Sequence, residues 1–387
     1  MRRERALWIV GGAMSVKIAL IFGGRSLESD ISVITAMQTL AQFSESEYDV
    51  EPVYLYEGDF YIDGVGELDA FTPFCPEKHT RTVLINGTFC SVKKNKLKRE
   101  FKPDLAFLCC HGGEGENGVL QGVLDFNNLT YCSSGVTGSA VGMDKVVSKC
   151  IFENMLMNVI SHTVVFRREF EEDREKLLLH LESYLDYPLI VKPACQGSSI
   201  GIRVAEDREG LADALETACH FDDKILVEEK LVEFTEVNCA AFRRGNEIVV
   251  SETEQPLGAG DVLTFEDKYM DNGKMSGGGH VVPADIGYLN AVVRTNTERV
   301  YRELELNGIV RVDFLVDKNR NKVYINEINT IPGSLAFYLF RPVGIEFGEL
   351  LEAQVKDALR RKAEKSSVTV FKSAVLSRYK HGGKIRK

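Results

Sequence analysis

An α/β fold with more than one domain is what this 387-residue chain predicts, and three observations carry that reading. Val16–Phe22 and Asp104–Cys110 are short, nearly continuous apolar runs, as expected of strands buried on both faces of a parallel sheet. Each empties into a glycine-rich turn, and apolar residues at helical spacing follow the first over Ile31–Phe43. Near the other end, Val310–Val316 and Val323–Asn329 flank the polar run Asp317–Lys322, the pattern of a β-hairpin.

The length allows two or three domains and a sizeable core. A hydrophobic content of 44% and a charged content of 27% are those of a soluble globular protein. The net charge of −10 argues against a general nucleic-acid binder, and no stretch approaches a transmembrane span, so neither nucleic acid nor membrane is an expected partner. Nine cysteines without a CxxC pair read as small buried hydrophobes in a reducing compartment, which places the protein in the cytoplasm. Residues 1–13 carry Arg2, Arg3 and Arg5 before an apolar run, Ala6–Val10, too short for a signal peptide. They read as a disordered leader, with Met14 beginning the fold.

Taken in order, the first strand turns through Gly23-Gly24-Arg25-Ser26, which is not a GxGxxG fingerprint. Glu28 in this turn is either a helix-start carboxylate or a ligand for a cationic group. The second strand leads into His111-Gly-Gly-Glu-Gly-Glu-Asn-Gly118, at the carboxyl end of a strand, where open α/β sheets bind ligands. His111 reads as a proton handler or an anchor, and Glu116 as an orienting group. Ser133–Gly142 marks a first domain boundary, and Met143-Asp144-Lys145 opens a helix. Phe170–Leu185 predicts one amphipathic helix. Leu189–Pro193 predicts a strand carrying Lys192, followed by a loop, Ala194–Gly201, whose glycines and hydroxyls can cradle phosphates beside that lysine. Ile225–Leu231 predicts a strand. Glu229, Lys230 and Leu231 could present backbone groups at its end, and Glu236 could receive two ribose hydroxyls or be no more than a charged strand position. Gly258–Val282 is long and glycine-rich, as lids often are, and contains Lys268-Tyr269. Asp285–Leu306 and Phe347–Leu359 predict core-facing helices, and Lys372–Lys387 a basic, solvated tail.

Strand parity gives the hairpin its chemistry. Arg311 and Asp313 share one face of the first arm, and Glu327 and Asn329 share one face of the second. Two carboxylates brought close together repel, and a hard divalent cation removes the repulsion. The donors are all oxygens, which suits magnesium held jointly with phosphates. Arg311 beside them could hold charge developing on a phosphoryl group or an oxyanion.

The motifs FGGRSLESDIS, HGGEGENGVLQG, MDK, VKPACQGSSIG, the Glu229–Glu236 pair, EDKY, VRVDF and NEINTIPG occur in an order that resembles the D-alanine–D-alanine ligases of the ATP-grasp superfamily, from about Lys17 to Leu359. The resemblance implies three domains. A Rossmann-like substrate-binding unit (14–141) precedes two α+β units (142–234 and 235–387, with a lid at 258–282) that sandwich ATP. It implies that Lys145 and Lys192 contact phosphates and that Lys268 reaches the γ-phosphate. Glu229 and Leu231, with Lys230 between them, would meet adenine, and Glu236 the ribose. Asp313, Glu327 and Asn329 would hold two magnesium (or manganese) ions. Glu28 would receive the ammonium of the first D-alanine near His111, and Glu28, Ser198 and Tyr269 would latch the lid. Arg311 and the Gly333 N–H would stabilise the tetrahedral intermediate. The implied activity is ATP-dependent joining of two D-alanines for peptidoglycan, by a homodimer. The sequence departs from the family where Ser334-Leu335-Ala336-Phe337-Tyr338 replaces small hydroxyl residues near the second amino acid, leaving Ser334 or Tyr338 to substitute. An acceptor such as D-serine, or a non-catalytic nucleotide-binding role, is the alternative.

Overall fold

The computed structural model describes residues 15–93, 96–257 and 279–366, with 373 and 375–376. The leader, residues 258–278 with Lys268 and Tyr269, and most of the basic tail lie outside the described residues.

The described residues form three sheets. The first contains β1 (Lys17–Gly23), β2 (Asp49–Tyr56), β3 (Asp59–Ile62), β4 (Thr80–Ile85), β5 (Thr88–Lys93), β6 (Lys96–Phe101), β7 (Leu105–Leu108) and β8 (Tyr131–Cys132), in the order β6-β5-β4-β3-β2-β1-β7-β8. The half from β2 through β1 and β7 to β8 is parallel, as the buried runs predict. β2 to β6 form an antiparallel meander that the sequence reading did not anticipate. The second sheet contains β9 (His162–Phe166), β10 (Leu189–Pro193), β11 (Arg203–Ala205) and β12 (Lys224–Glu229), in the antiparallel order β11-β10-β12-β9. The third contains β13 (Thr235–Arg244), β14 (Glu247–Pro256), β15 (His280–Val281), β16 (Val310–Asp317) and β17 (Lys322–Asn329), in the antiparallel order β15-β14-β13-β16-β17.

Helices cover Ser29–Phe43, Lys145–Asn154, Leu289–Glu303 and Phe347–Ser366, near the predicted positions. The single helix expected over Phe170–Leu185 is instead two, Arg167–Glu172 and Arg174–Glu182. Asp173 breaks it: its carboxylate accepts the Lys176 N–H at 3.1 Å and caps the second helix. No helix among the described residues is long and apolar enough to cross a membrane.

The cores explain how the sheets are held. One joins the first sheet (Leu20, Phe22, Phe107) to Leu335, Leu339 and Phe340 and to Leu350, Leu351 and Val355 of the last helix. Arg361 and Lys362 fasten that helix by donating to the Tyr131 and Asp104 carbonyls, both at 2.8 Å. A second core packs Val293 and Val300 against Val312, Phe314 and Ile325, and includes Phe152. A third, confined to residues 165–227, serves the second sheet alone.

Gly308 leads into β16 with φ +76°, and a Cβ there would lie 2.7 Å from Ser133 Cα, a backbone atom that cannot swing aside. Gly308→Ala is expected to cost at least about 2 kcal/mol, from the left-handed backbone plus the clash. A melting curve several degrees below wild type checks this.

Candidate active site

The β16–β17 ladder pairs Arg311 with Asn329 and Asp313 with Glu327, so the two same-face pairs expected from strand parity do come together. The ladder then shifts register immediately after Asp313. The row extends across the sheet, because Asp313 also pairs with Asn238 on β13, and Asn238 with Glu254 on β14. Arg311 donates to both Asp313 oxygens at 2.7 Å, and Asn329 donates to Oδ2 at 2.9 Å. Glu327 lies 3.3 Å from the Lys145 ammonium. Each carboxylate of the hairpin therefore has a cation of its own, which keeps two acids side by side without a large repulsive penalty.

Lys145 is the first residue of its helix. Asp144 caps that helix by accepting the Val146 and Val147 N–H groups, both at 3.1 Å, and forms an ion pair with Lys224. The Lys145 ammonium also donates to the Gln196 carbonyl at 2.6 Å, at the start of the Gln-Gly-Ser-Ser-Ile-Gly loop. In that loop Ser198 and Ser199 adopt φ of 48° and 60°. The Ser198 hydroxyl donates to Glu28, joining the second sheet's loop to the first. A Cβ at Gly197 would lie 2.5 Å from Glu28 Oε2, so any larger residue here would push the Glu28 carboxylate away from Ser198.

His111 is buried, and both ring nitrogens are engaged. Nδ1 lies 2.7 Å from the Ile331 carbonyl, an obligate acceptor, so Nδ1 carries the proton. Nε2 then accepts the Thr35 hydroxyl at 2.8 Å, while Thr35 Oγ1 accepts the Ser334 N–H at 3.1 Å. Burial, with help from the Arg311 charge and against the Ile331 bond, lowers its pKa to about 4. Of the two roles open in the sequence, this geometry is that of an anchor. Glu116, also buried, accepts the Gly112 and Ile331 N–H groups at 2.9 Å and is pushed up to about 7 by burial and by Glu28. Thr35 and Glu116 together fasten the 330–334 turn to the first sheet. Beyond it, Ser334, Leu335 and Ala336 hold φ of 49°, 53° and 47°, three consecutive left-handed residues.

The His111 shift has a definite sign. Its folded pKa lies below the ordinary 6.5, so the stability it confers is complete above pH 6.5 and is lost as pH falls towards 4. That loss is about 3 kcal/mol. Glu116 acts in the opposite sense, since its folded pKa is raised and the folded state gains as pH falls from 7. Comparing urea unfolding of wild type and His111→Asn at pH 7 and pH 5 isolates the histidine. The variant is expected to lose less stability on acidification.

These groups line a cavity of about 480 Å³ that reaches Glu28, His111, Ser198, Arg311, Asp313, Glu327, Asn329, Gly333, Ser334 and Tyr338. An adjoining cavity of about 100 Å³ reaches Lys192, Phe234, Glu236 and Leu315. Lys145, Glu236, Asp313 and Glu327 line both. Glu229, Lys230 and Leu231 stand at the end of β12, where the Glu229 and Lys230 N–H groups donate to the Ser161 and Pro188 carbonyls at 3.0 and 2.8 Å. Glu254 was not anticipated. It is 4% exposed and accepts the Tyr338 hydroxyl at 3.0 Å and the Asn238 amide at 3.1 Å. Its signal in the sequence was only an acid in an otherwise ordinary strand.

Among the described residues no group of three or more His, Cys, Asp or Glu side chains is placed to hold a metal ion by itself. Asp313, Glu327 and the Asn329 amide are a hard oxygen set on adjacent rungs, which fits an ion whose remaining ligands come from phosphate and water.

Sequence models for the D-ala D-ala ligase N-terminus and C-terminus match residues 17–134 and 151–356. The D-alanine–D-alanine ligase of Thermosipho africanus is 34% identical over 358 residues, covering 91% of this chain and 95% of the relative. Two solved structures share the fold. The D-alanine–D-alanine ligase from Coxiella burnetii has a TM-score of 0.77 at 22% identity, covering 95% of this chain and 99% of that one. The VanG D-Ala:D-Ser ligase from Enterococcus faecalis has a TM-score of 0.75 at 24% identity, covering 89% and 100%.

Proposed function

The chain belongs to the D-alanine–D-alanine ligase family, and on that footing we propose that it joins two D-alanines at the expense of ATP, supplying the dipeptide for peptidoglycan. The observation that carries the reading is the run of rungs pairing Arg311 with Asn329 and Asp313 with Glu327, facing Lys145 across one cavity.

Lys145, Lys192 and the 194–201 loop would hold the phosphates, with Lys268 reaching the γ-phosphate. Glu236 would take the ribose hydroxyls. Adenine would meet the end of β12 near Glu229, Lys230 and Leu231, where the Glu229 and Lys230 N–H groups are already used, so those two would not be the donors that read the base. Asp313, Glu327 and Asn329 would hold two magnesium or manganese ions, which supply charge neutralisation of the phosphates when bound. Glu28 receives the ammonium of the first D-alanine, with Ser198 and Tyr269 completing the latch. The carboxylate of that D-alanine attacks the γ-phosphorus and ADP leaves, giving an acyl phosphate. The amine of the second amino acid then attacks the acyl carbon. Arg311 and the Gly333 N–H hold the oxyanion, and phosphate departs. His111 keeps the 331–334 turn in place and stays neutral throughout. The three units would run 14–141, 142–234 and 235–387, in a cytoplasmic homodimer.

One observation favours a second acceptor. Phe337 and Tyr338 line the cavity in place of small hydroxyl residues, and the Tyr338 hydroxyl is bound to Glu254. Phosphate release with D-alanine alone, against D-alanine plus D-serine, with the product identified by mass, decides between them. D-alanyl-D-alanine from D-alanine alone is the expected result. No release with any D-amino acid would sink the ligase reading.

A further inference from the structure

Beneath the phosphate end of the site lie two buried charges, Glu228 and Lys149, that the reaction as described does not use. Glu228 on β12 is fully buried, yet it sits between two lysines. Lys149, itself 1% exposed, lies 3.1 Å away, and Lys192 forms the second ion pair. Lys149 stands one helical turn beyond Lys145 on the same helix, so both side chains leave one face of it. Lys192 also donates to Asn326 Oδ1 at 3.4 Å, on the hairpin arm that carries Glu327. The helix, the second sheet and the hairpin therefore meet through these ions.

A fully buried carboxylate has a reason to persist only if its charge is matched. Here two ammonium groups match one carboxylate, leaving one excess positive charge at the end that opens to the cavity. Without the anion, two ammonium groups in a desolvated pocket would repel each other. Only the long bond to Asn326 Oδ1, at 3.4 Å, would be left among the described contacts to hold Lys192 against its own side-chain entropy.

We infer that Glu228 and Lys149 are positioning residues for the nucleotide: Glu228 holds the Lys192 ammonium at the phosphate site, and Lys149 locks the Lys145 helix onto the same carboxylate. This rests on Lys145 and Lys192 binding phosphates. Lys149 is 1% exposed and, among the described residues, its ion pair is with Glu228.

The test compares steady-state kinetics and melting temperature for Lys192→Ala, Glu228→Gln and the double variant Glu228→Gln/Lys149→Met. Glu228→Gln is expected to raise the KM for ATP about 10- to 100-fold, the range seen for outer-shell partners. The KM for D-alanine should stay within about twofold, marking loss of nucleotide binding rather than general damage. The double variant removes the lysine left unpaired, so its melting temperature should recover while the KM for ATP stays high. If Glu228→Gln does not fold, the double variant alone reads the effect. An unchanged KM for ATP in both Glu228 variants, with Lys192→Ala impaired, overturns this inference and leaves the phosphate assignment standing. So does a double variant that regains both stability and ATP affinity. A normal KM for ATP in Lys192→Ala overturns both.

Discussion

Arg311→Ala is expected to lower the rate of dipeptide formation at least about 10³-fold while the protein still binds ATP. The reason lies in where charge appears. In the ground state Arg311 is a bidentate partner of Asp313, with both bonds at 2.7 Å and the side chain 22% exposed. On the proposed mechanism, negative charge grows on the acyl oxygen as the amine attacks, and a guanidinium already fixed by Asp313 would meet it without having to be organised at that moment. The variant also leaves Asp313 without its cation, so a modest loss of stability should accompany the loss of rate. Arg311→Lys should recover only part of the activity, because an ammonium cannot reproduce the two-pronged contact. ATP binding by calorimetry beside product formation by mass measures both halves. Undiminished turnover in Arg311→Ala would remove the assigned role.

Asp313→Ala and Glu327→Ala should each abolish amino-acid-dependent phosphate release, by more than about 10³-fold, even with excess magnesium. The two carboxylates face each other directly across the ladder and can share ions between them. Losing either one also leaves Arg311 or Lys145 without that ion pair. In Glu327→Ala, Lys145 keeps its bond to the Gln196 carbonyl, so ATP should still bind while phosphoryl transfer fails. Full activity in either variant would show that the hairpin is not where the metal–nucleotide sits.

The hairpin was the most legible part of the chain because its information is local. A period of two was enough to put Arg311 and Asp313 on one face of one arm and Glu327 and Asn329 on one face of the other, while the exact rungs depend on the register shift after Asp313, which the sequence does not signal. β1, β7, β10 and the helices after Gly24 and Asp144 were legible for similar reasons, since apolar runs and caps signal themselves. The antiparallel strands from Asp49 to Phe101 were not, because mixed edge strands alternate weakly and resemble loops. The helix break at Asp173 was missed because a capping aspartate inside an amphipathic pattern also passes as an exposed helix residue. Thr35, Glu254 and Glu228 acquire meaning only from partners far along the chain: His111, Tyr338 and the two lysines. Periodicity carries no trace of such contacts.

The last helix and the turn after Gly333 are sunk in the core of the first sheet, whereas the second sheet keeps a core to itself. Two of the three layers thus behave as a single chassis, and prising them apart would wet a large apolar seam. The four-stranded layer touches that chassis near the site through charged and hydrogen-bonded contacts, Glu228 to Lys149 and Ser198 to Glu28 among them. A local opening of this small layer would break the Glu228–Lys149 and Ser198–Glu28 contacts before it wet an apolar core, so it is the layer whose amide protons should exchange first.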